Sequence, residues 1–213
     1  MITGKRFLKV FLIFLFLFFS FGCSGNGDGE KLDYQKALKD DAVQGLSGAI
    51  AEDYTQLTII RGSLYKYSIN PSKPQYLGIT IGALQAMVFP TEYEYDRLTK
   101  LESISPAMKK DIIAQPMLNI VMKKRDVFSH LYSDLLEPLN KQIDEGKPVT
   151  PQQIKTLNET VRVLDRMVTE YATLIKPGLD FNGREAEDAF LRLQGYHKEL
   201  QKIKLPPYNP ETP

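Results

Sequence analysis

The sequence predicts an all-α domain, an antiparallel bundle of four main helices with shorter helical segments, set behind an N-terminal signal segment. Three observations lead there. From Lys31 onward apolar residues recur at steps of three and four, proline and glycine punctuate the chain, and no alternating stretch is long enough to propose a strand. Helical segments joined by short turns can hide their apolar stripes only against one another, and short turns make neighbours antiparallel.

The first helix is expected from about Asp33 to Ser68. Val43, Leu46, Ile50, Tyr54, Leu57, Ile60, Leu64 and Tyr67 form one stripe there, and Asn70-Pro71-Ser72-Lys73-Pro74 ends it. A second segment from Pro74 carries Leu77, Ile81, Leu84, Val88, Tyr95 and Leu98 in similar phase, with Pro90 placed to kink or divide it. The third helix begins near Pro106 and is broken or bent at Pro116. Ile120, Val127, Leu131, Leu135, Leu139 and Ile143 then line one side until Glu145-Gly146-Lys147-Pro148.

Thr150-Pro151-Gln152-Gln153 marks the next helix start with a hydroxyl cap, proline at the first helical position and glutamine where a reciprocal capping contact needs it. That helix repeats Ile154, Leu157, Val161, Leu164, Val168, Tyr171 and Leu174 and stops at Pro177-Gly178. A last helix, from about Gly183 to Lys204, enters through Asn182 and faces inward with Ala186, Phe190, Leu193 and Leu200. The tail, Leu205-Pro206-Pro207-Tyr208-Asn209-Pro210, is expected to be extended and mobile.

The N-terminus has a different character. Lys5 and Arg6 precede an apolar run from Phe7 to Gly22 interrupted only by Lys9, the order of a secretory signal's charged and hydrophobic regions. Val10 to Phe21 is shorter than the roughly 20 residues a spanning helix needs, so a cleaved signal fits better than a permanent span. Ser20-Phe21-Gly22-Cys23 resembles the lipobox of bacterial lipoprotein precursors, although that family more often has an aliphatic residue where Ser20 stands and a small one where Phe21 stands. The resemblance covers about the first 23 residues. It implies lipid attachment at Cys23, cleavage before it, and an extracytoplasmic domain held at a bacterial membrane. The glycine-rich Ser24-Gly25-Asn26-Gly27-Asp28-Gly29 that follows reads as a tether. The chain thus divides into a signal (1–22), a tether (23–30), the helical domain (31–204) and an extended tail (205–213).

Charge and motifs narrow the function. Removing Lys5, Arg6 and Lys9 with the signal takes the net charge from +1 to −2, which leaves no basic field for nucleic acid. The single cysteine forms no internal disulfide. His130 and His197 lack the Glu-x-x-His or His-x-x-x-His spacing of helical metal sites, so no metal is expected and both histidines read as surface or partly buried. Ser63-Leu64-Tyr65-Lys66 has the Ser-x-x-Lys spacing of penicillin-binding enzymes, but the later motifs of that chemistry are incomplete. No phosphate loop or dinucleotide fingerprint occurs, so no cofactor and no enzyme activity are expected.

Two features remain. Gly78 and Gly82, one turn apart, suggest a notch where helices pack closely within the domain. Tyr65 with Tyr67, and Tyr93 with Tyr95, are pairs whose members point about 200° apart on a helix, so one of each pair lies off the core stripe. The phase selects Tyr65 and Tyr93 as the exposed members and as a candidate partner surface. The expected role is a membrane-tethered, non-catalytic module that binds another envelope protein or aids assembly. The alternative is a small-ligand receptor or sensor whose bundle encloses an apolar pocket.

Overall fold

A computed structural model of the chain describes residues 27–88 and 115–209. Every regular element among the described residues is helical. In order they are α1 (Gly27–Ile69), α2 (Gln75–Val88), α3 (Gln115–Leu131), a π-helical turn (Tyr132–Leu136), α4 (Glu137–Asp144), α5 (Pro151–Leu174) and α6 (Arg184–Leu200). The chain divides into two units, Met1–Asp41 and Ala42–Pro213; the contacts described below all lie in the second.

Helix α1 starts earlier than the stripe alone predicts and takes in Gly27-Asp28-Gly29-Glu30, which composition assigned to the tether. Within the second unit the expected stripe is the buried one: Leu46, Ile50, Leu57, Ile60, Leu64 and Tyr67 are all core residues. Helix α2 is buried through Leu77, Thr80, Ala83, Leu84 and Met87, which makes it a full member of the bundle. The expected continuation through Pro90, Tyr95 and Leu98 lies outside the described residues.

Pro116 falls in the first turn of α3, a position that tolerates proline because the N–H it lacks would have no intrahelical partner. The residues directly before Gln115 lie outside the described ones; within the described part the α-helical ladder is interrupted just before Pro138. Proline inside a helix cannot donate to the carbonyl four residues back, here Asp134, and its ring crowds that carbonyl. The chain responds with the π-turn just before it, in which Glu137 N donates to Tyr132 O. At the far end α4 closes in a Schellman motif: Gly146, at φ +74°, donates to Ile143 O at 2.8 Å and Lys147 N to Gln142 O at 3.0 Å.

The start of α5 matches the sequence signature in every part. Thr150 Oγ1 accepts from Gln153 N at 3.3 Å, Gln153 Oε1 accepts from Thr150 N at 3.0 Å, and Pro151 takes the first position. Helix α6 departs from expectation. Its N-cap is Gly183, with no side-chain cap, while Asn182 N donates to Asp180 Oδ1 at 3.0 Å in the turn before it.

The pairings give the helix directions. Arg61 with Asp165 and Ser68 with Asn158 make α1 and α5 antiparallel. Glu170 with Arg192 and Lys176 with Glu185 do the same for α5 and α6. Helices α3 and α6 run parallel, since Phe128 meets His197 while Asp134, further along, meets Leu205 beyond the end of α6. Five helical stretches therefore share the core among the described residues, counting α3 to α4 as one, and not all neighbours are antiparallel. The reason is α2: a segment too short to dominate the sequence pattern still contributes a complete apolar face, and it displaces the simple four-helix alternation.

Candidate functional site

The candidate surface follows from the α1/α5 seam. On α1, Arg61, Tyr65 and Ser68 stand at i, i+4 and i+7, on one face of the helix. On α5, Asn158, Arg162 and Asp165 do the same. The ends of the two rows are tied by the Arg61–Asp165 ion pair and by the Ser68 hydroxyl donating to Asn158 Oδ1 at 2.8 Å. Between those ties the antiparallel register sets Tyr65 and Arg162 at the same level, and both are exposed.

Tyr65 is 46% exposed, and Ile69, one turn beyond it, 63%. The Arg61 guanidinium stands 6.0 Å from the centroid of the Tyr65 ring while it also pairs with Asp165, so the ring is held over a fixed cation. The other member of the pair behaves as the phase requires: Tyr67 is fully buried, and burial pushes its hydroxyl up to about 12. Tyr93 lies outside the described residues. Cys23 does too.

Arg162 and Ile69 were not singled out in the sequence, though Ile69 carries a signal: it is apolar, yet two residues past Tyr67 and so off the buried stripe. Exposed Ile59 lies on the outer side of the same helix. Tyrosine and arginine are residue types enriched where proteins meet.

Other sequence features resolve differently. Ser63 is buried against α2, with its hydroxyl 2.7 Å from Ile59 O and 2.7 Å from Thr80 Oγ1, which itself donates to Tyr76 O at 2.9 Å. Lys66 is exposed with its ammonium 5.7 Å from the Tyr76 ring. The Ser-x-x-Lys spacing thus serves as helix packing on one side and a surface cation–π contact on the other. The close α1/α2 approach runs through Ser63 and Thr80, not through the glycines. Gly78 and Gly82 are exposed, and a Cβ at either would meet nothing within 4 Å, which overturns the expected packing notch.

The histidines also separate. His130 is half-buried with Nε2 3.3 Å from Asp134 Oδ2. His197 is only 5% exposed, deeper than expected, its ring meeting the Phe128 ring edge-on at 6.2 Å between centroids. Burial lowers its imidazole from the ordinary 6.5 to about 4, and Nε2 has no hydrogen-bond partner. Met87 and Met167 are packed into the core.

Charged groups inside the domain are paired between helices. Lys124 Nζ donates to Asp53 Oδ1 at 2.8 Å across α1 and α3, and both side chains are nearly inaccessible. Arg192 forks onto the buried Glu170 carboxylate with bonds of 2.8 and 2.9 Å, which holds α6 against α5 and raises the arginine further above its ordinary value. Among the described residues no group of three or more His, Cys, Asp or Glu side chains is placed to hold a metal ion, and no helix is long and apolar enough to cross a membrane. In comparisons with known proteins, the chain matches no family model, no curated protein and no solved structure.

Proposed function

We propose that this chain is a membrane-tethered extracytoplasmic lipoprotein whose helical domain binds another protein of the cell envelope and carries no catalytic activity of its own. The tether rests on the sequence: the charged start at Lys5 and Arg6, the short apolar run, and Cys23 behind Gly22. The binding role rests on one observation above all. Tyr65 is exposed on α1 at the level of Arg162 on α5, with exposed Ile69 one turn further along α1, at a seam tied by side-chain pairs on both sides of Tyr65, so a partner meets a surface that is already ordered. Pre-ordered aromatic groups lose little entropy on binding.

Crosslinking and capture from native membranes test the binding role, with wild type compared against a folded Tyr65→Ala, Ile69→Ala variant. The expected result is loss of the principal crosslinked partner. Recovery of the same proteins in the same yield means this surface is not the one that binds. The tether is tested separately by labelling with radioactive palmitate. Cys23→Ser should abolish incorporation, and unchanged labelling would overturn the assignment.

A further inference from the structure

The C-terminal segment is docked, against the expectation of a mobile tail. After α6 the chain runs extended past the π-turn toward the start of α5, with Ile203 and Leu205 packed against the core. Leu205 N donates to Asp134 O at 3.0 Å, and Gln153 Nε2 donates to Pro206 O at 3.1 Å. The Lys147 ammonium lies 5.7 Å from the Tyr208 ring, and Lys204 Nζ stands 3.6 Å from Asp134 Oδ2.

The chemistry of this seat is specific. Asp134 O is the carbonyl to which Pro138, lacking an N–H, cannot donate, and so it is turned to an acceptor for another strand. Gln153 is wholly buried and its amide is oriented on both sides. Its Nε2 donates to Gln142 Oε1 at 2.8 Å, and its Oε1 accepts from Gln142 Nε2 at 3.0 Å and from Thr150 N. The seat therefore offers one acceptor and then one donor, which fit the N–H of one residue and the carbonyl of the next. No second strand N–H is asked for, so proline at that next position leaves nothing unsatisfied, and Pro206 and Pro207 occupy the place. Proline also holds the strand extended before it binds.

We propose that this seat is a recognition site for an extended, proline-containing peptide strand, filled in this chain by its own residues 203–209 acting as a displaceable latch. The latch is tied to the end of α6 by only a few residues, so it competes with an outside strand at an effective concentration of about millimolar. A strand in trans displaces it through the same two backbone bonds. The proposal is independent of the surface around Tyr65.

The test uses the full chain and a labelled synthetic peptide with the sequence of residues 203–209. Leu205→Pro removes the N–H that reaches Asp134 O while leaving the segment extended. The peptide should bind the folded variant about tenfold or more tightly than wild type, as expected when the competing cis strand is weakened. No binding to the folded variant, or equal binding to both chains, overturns the proposal. Hydrogen exchange on wild type decides the matter if the variant does not fold. The Leu205 amide should exchange through local opening, about tenfold or more faster than the Leu164 amide in the core. Exchange of both only through global unfolding overturns the latch.

Discussion

Acid should destabilise this protein through His197. The imidazole is buried beside Phe128 with Nε2 unpartnered, and burial lowers it from 6.5 to about 4. The folded state therefore holds it neutral, while the unfolded chain binds a proton near the ordinary value. The stability this confers is fully present above 6.5 and is lost as pH falls from there through about 4. The whole difference corresponds to about 3 kcal/mol, and about 2 kcal/mol of it is already gone at about pH 5. The histidine is isolated by making the measurement a difference between two chains. Urea unfolding of wild type and His197→Gln at about pH 7.5 and about pH 5 isolates the histidine. Wild type should lose about 2 kcal/mol more than the variant between the two conditions. Equal losses would show that His197 is either accessible to water or paired in the folded state, and the argument from burial would fail.

Two further outcomes follow from the packing. Gly82→Ala should stabilise the domain by about 0.5 to 1 kcal/mol, because the position is an exposed helix interior with open space for a methyl group; a lower melting temperature would mean that a close neighbour exists after all. Gln153→Ala should cost about 2 to 4 kcal/mol, since it removes half of the capping box and leaves the buried Gln142 amide without its reciprocal partner. A thermal melt within a degree or two of wild type would refute that accounting.

Much of the fold is legible in the sequence because amphipathic periodicity reports burial directly. The stripes from Leu46 to Tyr67 and from Leu157 to Leu174 are the buried ones, and the Thr150 cap reads out residue by residue. What periodicity misses is polar burial. Gln153, Thr160, Ser63 and His197 all sit inside, each in phase with the apolar stripe but excluded from it by residue type. The π-turn is hidden for a related reason: Pro138 announces a lost donor, but only the docked tail reveals which group replaces it. The tail itself looks unstructured because its composition contains no period, yet Leu205, just past the expected boundary at 204, packs against the core. Of the candidate surface, Tyr65 follows from helical phase, whereas its level with Arg162 depends on how α1 and α5 meet, which no local pattern encodes.

The parallel pairing of α3 with α6 has a consequence for how the protein comes to be folded. Phe128 and His197 meet only after the intervening chain has gone out along α5 and come back. Contacts so far apart in sequence carry a large loop-closure entropy and form slowly. Helix α6 also supplies Phe190, Leu193 and Leu200, so the chain synthesised before it has a core open along one side. Until α6 is in place the earlier helices are expected to hold only loose, exchanging structure, and cooperative closure waits for its final turns. A product that stops short of Phe190 should remain in that open condition, sensitive to proteolysis along its whole length.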